Sequence, residues 1–410
     1  MTLNNLDLSK DSLLPLVIGT GFDDPYPIYD YLRTTQPVYR DASGVWLVSS
    51  HALVMHLLAH PHISSKPLVP DHLSDNGIGY LDMLMFQSGD QYKHLRTLLA
   101  PLFGKKRLAD LQQFVDAEIL RLLAPLQHKE RFDLTADVAR MLPMRTTCYL
   151  LGLPESAVGS CFSAAAAGTC LFSSPETVGA ERYARATEEI RQFLNQIESL
   201  IAGLGPHTAP DHPLLYFRNL EENGELGHRE MLLNILQIFL AGYGTTSMSI
   251  GSCVAAALRH PDIWQALRAD AGLIPQAVRE FQRYDPVLQS ILRHAHEDIE
   301  VNGQTIRRGD KLGLLIGAAN RDPLAFPRPN QLDLYRTSGR ELTYSTGPHN
   351  CIGQMLAKMQ IESLLRALLQ YMPDLTLMET QCQRVQRGSA HGMSRLWLEH
   401  QVEHQQAVCA

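Results

Sequence analysis

The chain has 410 residues, 45% of them hydrophobic, and a formal net charge of −7. That apolar content supplies a large buried core, and with no long Lys/Arg stripe to offset it, the acidic balance argues against general nucleic-acid binding. No stretch approaches the roughly 18 apolar residues of a membrane-spanning helix, and Met1 to Tyr31 shows no signal peptide, so a cytoplasmic protein without a membrane anchor is expected.

Cysteines stand at 148, 161, 170, 253, 351, 382 and 409. Their odd number and the lack of any CxxC pair argue against a disulfide framework or an iron–sulfur cluster. No internal repeat or low-complexity linker divides the chain, so a single domain over 1–410 is expected.

In chain order, Pro37-Val38-Tyr39-Arg40, a turn at Asp41 to Gly44 and Val45-Trp46-Leu47-Val48 read as a hairpin. Apolar periodicity predicts helices over about 90–101, 107–126, 135–152, 177–203, 228–260 and 274–284, with the segment Gly205 to Pro213 as a break. Residues 299–306 read as a second hairpin on the Asn302-Gly303 turn. An irregular stretch rich in Pro, Arg and Asp fills 320–340. The architecture is therefore mainly α with a smaller β-rich lobe: β at about 30–60 and 285–320, helix at about 90–285 and 353–371.

Tyr344-Ser345-Thr346-Gly347-Pro348-His349-Asn350-Cys351-Ile352-Gly353 then sets one cysteine in a turn-forming segment, followed by a helical stretch from Gln354. An isolated cysteine is most often a small buried side chain. Here the sulfur sits at the mouth of a helix, where free backbone N–H groups and the helix dipole favour a thiolate able to ligate haem iron.

The segment resembles the ligand loop of the cytochrome P-450 superfamily, soluble bacterial type, whose pattern is aromatic-Gly-x-Gly-x-His-x-Cys-x-Gly. Tyr344, Gly347, His349, Cys351 and Gly353 fit it, while Ser345 replaces the first glycine and is expected to tighten the loop through its hydroxyl. The resemblance implies haem b held by Cys351, a long distal helix above it and a C-terminal hairpin. It extends to Ala241-Gly242-Tyr243-Gly244-Thr245-Thr246, which is similar to the family's oxygen-activating segment. Thr245, beside Thr246, then matches the threonine that hydrogen-bonds iron-bound oxygen, with Ala241 and Gly242 lining the groove. Gly244 stands where the family carries an acid, so the carboxylate of the proton relay is missing. Considered alone, the glycine pair also fits a site of close helix packing.

Glu280 and Arg283 share a helix face and match the family's structural Glu-x-x-Arg pair, with Arg328 or Arg336 as its third member. The resemblance makes Arg293, His349 and Arg96 haem propionate contacts, and Tyr92, one turn before Arg96, takes the place of the usual histidine. His94 falls on the other face. The substrate wall is expected from Leu68, Val69, Leu81, Leu84, Phe86, Leu240, Val287, Leu288, Ile291, His391 and Met393, which implies a hydrophobic small to medium organic substrate. Gln289 and His391 either orient a polar group or are satisfied structural residues. Electrons would come from a separate ferredoxin and an NAD(P)H-dependent ferredoxin reductase, docking near Lys105, Lys106 and Arg107. The implied activity is monooxygenation with dioxygen. A peroxide-driven peroxygenase and a haem sensor without turnover are the alternatives, and the lack of arginine between 232 and 258 counts against the peroxygenase.

Overall fold

The computed structural model describes residues 12–18, 24–68 and 77–401. The helices that matter to the site are α1 (His51–Leu58), α2 (Gly89–Leu99), α3 (Lys105–Leu123), α4 (Met141–Leu151), α5 (Val158–Leu171), α6 (Ala180–Ala202), α7 (Pro213–Glu222), α8 (His228–Arg259), α9 (Ile274–Tyr284) and α10 (Gln354–Tyr371). Short strands make the β part, so the expected mainly α class with a smaller β-rich lobe is what the chain adopts.

Proline explains two boundary differences. Pro213 was expected to break a helix and instead opens α7; Pro261 ends α8 at Arg259 and opens a helix Pro261–Ala269. A proline at the first helical position lacks only an N–H that would have gone unbonded, and its φ is already helical. The helix expected from 135 begins instead with a π turn, Thr135–Ala139, because Arg140 N donates to Thr135 O.

Strands β1 (Val38–Arg40), β2 (Trp46–Val48), β3 (Ile63–Ser64), β5 (Ile291–Ala295) and β8 (Lys311–Leu314) form one sheet in the order β1-β2-β8-β5-β3. Strand β4 (Arg131–Asp133) joins β12 (Trp397–Glu399) and β9 (Thr376–Leu377), while β6 (Ile299–Val301) with β7 (Gln304–Ile306) and β10 (Gln383–Arg387) with β11 (Ala390–Arg395) are hairpins. Asn302 and Gly303 take φ of 51° and 73°, as the expected two-residue turn requires. In the large sheet Arg293 on β5 is paired with Leu312 on β8, which fixes the face its side chain enters.

Helix α8 passes between two apolar clusters. Its first half, Met231 to Phe239, packs with α2 and α4 to α7; its second half, Ile250 to Ala257, packs with α3, α9 and α10. Between them Ala241 keeps its surface midway along a buried helix. Along the middle of α8 the stretch that keeps surface is therefore Ala241–Thr245.

Glu280 and Arg283, the expected structural pair, are each buried, at 2% exposure. Glu280 receives two 2.8 Å bonds from Arg283 and one of 3.0 Å from Arg336 Nε. The third member is Arg336; Arg328 is exposed and lies 3.8 Å from Asp333. The second positive charge is met by carbonyls: Arg283 donates to Asn320, Pro329 and Gln331, and Arg336 to Pro327, Arg328 and Gln331. The cluster pins the irregular 320–340 segment to α9.

At the other end of α8, His228 donates from both ring nitrogens, to Glu221 at 2.7 Å and Glu198 at 2.8 Å. The bonds to Glu198 and Glu221 raise its pKa above the usual histidine value. The folded state therefore binds the proton more tightly than the unfolded chain, and this contribution is full below the unfolded pKa of about 6.5 and is lost as pH rises through the folded value. All three side chains are partly exposed, so the effect is small and screened by salt. In urea titrations of wild type and His228→Gln, the gap between midpoints should be widest near pH 6 and close toward pH 9.

Candidate haem site

Cys351 lies three residues before α10. Its N–H donates to Tyr344 O at 3.0 Å, which closes the loop upon itself. Burial raises the thiol pKa, while the Gly353 N–H and the Arg96 charge work in the opposite direction. In the protein alone burial outweighs the helix mouth. Coordination to a metal would remove the proton outright. The residue nonetheless keeps exposed surface, so the sulfur lies in a recess rather than sealed in the core.

Two backbone positions shape the loop. Gly347 has φ +70°, and a Cβ there would lie 3.0 Å from both Ala59 Cα and Leu58 O, so only glycine lets the loop lie on the end of α1. Ser345 also has positive φ, at +62°. Its hydroxyl makes just a 3.4 Å bond to Thr346 O, so the expected tightening is weak and the residue is strained. A non-glycine residue there costs about 1–2 kcal/mol, part of which glycine would return through its own unfolded-state entropy. Ser345→Gly is expected to stabilise the protein by about 0.5–1 kcal/mol in denaturant titration, and a loss of stability would show that the hydroxyl matters.

Helix α2 brings Tyr92 and Arg96 to this loop. Tyr92 OH donates to Pro348 O, and Arg96 Nη1 donates to Asn350 O at 2.6 Å and to Tyr92 OH at 3.1 Å. The Tyr92 and His349 rings lie 4.2 Å apart. His94 turns away and meets Glu225 O. Tyr344, at the head of the loop, accepts a 2.8 Å bond from Gln282.

Arg293 decides what the recess can hold. It is 8% exposed, and its one described hydrogen bond, to Leu292 O, leaves the buried charge without a carboxylate. Burial lowers its pKa to about 10. Arg96 likewise has only neutral partners among the described residues. Burial, then the charges of Arg293 and Arg96, push His349 down to about 4, which makes it a neutral hydrogen-bonding group in the protein alone. A buried guanidinium without an anion is costly. The buried Arg293 and the half-buried Arg96, beside His349, suit a group carrying two carboxylates, as the rim of a haem does, with the cysteine sulfur in the same loop as His349.

On α8 the helix is uninterrupted through Ala241 to Thr246. Thr245 Oγ1 donates to Ala241 O at 2.8 Å. The glycine pair divides its roles. A Cβ on Gly242 would lie 2.9 Å from Thr147 Oγ1 on α4, so Gly242 is a close-packing site, whereas a Cβ on Gly244 would meet nothing within 4 Å. Thr246 is buried. Thr147 was not singled out from sequence, and no local pattern marks it, because its importance comes from a helix far away in the chain.

The proposed substrate residues separate into two sets. Leu81, Leu240, Leu288 and Ile291 keep surface, whereas Leu84, Phe86, Val287 and Met393 are buried in the packing. Met393 lies against α8, with its Cβ 2.9 Å from where Gly251 would carry one. His391 is 2% exposed, 3.5 Å from Asp285 and 3.2 Å from Arg384. Gln289 is fully buried and donates to Pro286 O. His391 thus belongs to a buried polar cluster around Asp285, and Gln289 joins it through the Tyr26 hydroxyl, which it meets at 3.4 Å and which donates to Asp285, in line with the reading of both as satisfied structural residues. Asp285 is held well below the ordinary carboxylate range, against burial, chiefly by Arg384 and then by His391. Val69 lies outside the described residues. Exposed Leu292, beside Arg293, went unnoticed because alternation in so short a strand does not reveal which face is covered.

Of the basic run, Lys105 and Lys106 are exposed at the start of α3. Arg107 is not free for a partner; it donates to Tyr149 O and Leu150 O and stacks over the Tyr149 ring, tying α3 to α4.

The sequence profile described as Cytochrome P450 matches residues 180–387. A curated relative, 20-oxo-5-O-mycaminosyltylactone 23-monooxygenase of Streptomyces fradiae, is 32% identical over 357 residues, covering 85% of this chain and 82% of its own. The chain belongs to the cytochrome P450 family. Vitamin D(3) 25-hydroxylase of Pseudonocardia autotrophica is 30% identical over 93% of this chain and 95% of its own. Among solved structures, CalO2 superposes with TM-score 0.82 at 27% identity, over 92% of this chain and 96% of that one. P450BioI, in complex with hexadec-9Z-enoic acid ligated acyl carrier protein, superposes with TM-score 0.85 at 26% identity over 92% and 98%. The P450 is therefore a haem-dependent oxidoreductase of the monooxygenase type, acting with dioxygen, a substrate and a redox partner. No helix among its described residues is long and apolar enough to cross a membrane.

Proposed function

We propose that this P450 hydroxylates, epoxidises or oxidatively couples a hydrophobic small to medium organic molecule, with haem b ligated by Cys351 and acting as one domain over 1–410. The observation that carries the reading is the pairing of a recessed cysteine with two arginines that lack anionic partners. Haem held there supplies dioxygen activation and insertion of one oxygen atom. Arg293 and Arg96 would bind its propionates as cations, with His349 and Tyr92 beside them as neutral donors. The Gly353 N–H would hold charge on the Cys351 sulfur, a charge-assisted bond stronger than a neutral one.

On the distal side Thr245 would hold the transferable proton at Oγ1. Its present bond to Ala241 O gives that hydroxyl a resting orientation from which rotation is cheap. With no acid at 244, ordered water or a polar group of the substrate would complete the relay. Leu81, Leu240, Ala241, Leu288 and Ile291 would form the apolar wall. Electrons would come from a separate ferredoxin and its NAD(P)H-dependent reductase, with Lys105 and Lys106 offering the cationic contact.

The open space at 244 makes a direct test of the missing acid possible. Gly244→Glu is expected to fold normally and to convert more of the NAD(P)H consumed into product, by several-fold in coupling. Unchanged coupling in a folded, haem-loaded variant would show that proton delivery does not pass this position. The reading as a whole is tested by the spectrum of the reduced protein with carbon monoxide. A strongly red-shifted Soret band is expected from thiolate ligation, and a band at the histidine-ligated position would remove Cys351 as ligand.

A further inference from the structure

We propose that Cys148 and Cys161 form a modification site, a reversible disulfide made by hydrogen peroxide that staples α4 to α5 beside the distal helix. Their sulfurs lie 3.6 Å apart, both in the core at 3% and 0% exposure. No other two cysteines among the described residues come into sulfur contact. A bond would shorten the gap to about 2.04 Å, a movement within reach of a side-chain rotation and a small helix shift.

Both helices carry the consequence to the site. Thr147, next to Cys148, is the residue against which Gly242 packs, and Gly168 on α5 lies under Leu240. The two cysteines thus tie together the two helices that seat the Leu240–Gly242 segment of α8. Persistent disulfides are unusual in a reducing compartment, and those that form there are mostly transient and regulatory.

The two thiols are not equivalent. The contact between the two sulfurs lowers the Cys148 pKa against burial and the Glu155 charge, with Arg145 helping, while the same contact and burial raise Cys161. Cys148 is accordingly the attacking sulfur and Cys161 the resolving one. The Cys148 thiolate attacks one peroxide oxygen, the O–O bond breaks, and a sulfenic acid and one water result. The Cys161 sulfur then displaces the second oxygen as water. Two thiols lose two electrons and two protons, and the peroxide gains both.

The test uses the full-length haem-loaded enzyme, titrated with hydrogen peroxide, quenched with catalase, alkylated with N-ethylmaleimide under denaturing conditions and digested without reductant. Expected is a peptide linking Cys148 to Cys161, a protein mass lower by about two units before alkylation, and recovery of both thiols with dithiothreitol. Cys148→Ser and Cys161→Ser should each lose the linked peptide, whereas Cys253→Ser, at another buried cysteine, should keep it. Full alkylation of both thiols at every dose would overturn the proposal, as would sulfinic acid on either without a linked peptide. The wild-type result decides the matter even if a serine variant does not fold.

Discussion

Glu280→Ala is expected to cost about 3–5 kcal/mol, the effect of removing one partner from a buried ion pair. In this protein it leaves two guanidiniums, Arg283 and Arg336, both buried, with only carbonyls around them. Glu280 also accepts a 3.0 Å bond from Asp333 N, so the irregular segment loses its attachment to α9 together with the charge. Because that segment leads into the cysteine loop, haem content should fall with stability. Glu280→Gln keeps the shape and part of the bonding and should fall between. Denaturant unfolding and the haem-to-protein ratio measure both effects; a loss below about 1 kcal/mol would mean that the arginines find water or carbonyls sufficient.

Arg293→Leu should move two measurable quantities in opposite directions. Without haem, the variant is expected to be more stable than the wild type by about 1–4 kcal/mol, since a buried charge lacking a carboxylate gives way to an apolar side chain. With haem, it should bind the cofactor about 10- to 100-fold more weakly, the loss of one charge-assisted hydrogen bond of about 1.5–3 kcal/mol. A merely structural arginine would not give this crossing. Thermal unfolding of the apoprotein and haem transfer to a competing apoprotein separate the two. If haem affinity stays unchanged, Arg96 and His349 suffice for the propionates.

The chemistry-bearing loop was legible because its demands are local. A cysteine three residues before a helix, with glycine where the chain lies on α1, is a pattern written in consecutive residues. Helix α9 was read to its ends, Ile274 and Tyr284, since Pro275 and Pro286 frame it. The hairpin at Asn302-Gly303 followed from a turn whose backbone few other residues adopt. Tyr92 and Arg96 were placed on one face, and His94 off it, by helical periodicity alone.

What the chain left open depends on burial and on partners remote in sequence. Periodicity showed Glu280 beside Arg283 but could not tell an exposed pair from a buried one, nor choose Arg336 over Arg328. His391 read equally as a group that orients substrate or as a satisfied structural residue, and only Asp285 and Arg384 supply the partners that favour the second. Ser345 looked like a mild substitution because positive φ is not visible in a residue name. The glycines at 242 and 244 are two apart on one helix, yet Thr147 fills the space beside one and nothing fills the space beside the other. Local turn and helix chemistry is encoded in neighbouring residues, so the sequence by itself determined the family, the ligand loop and the helical frame. The energy of a charge, a thiol or a missing side chain depends on the dielectric and the atoms around it, and only the tertiary structure decided those.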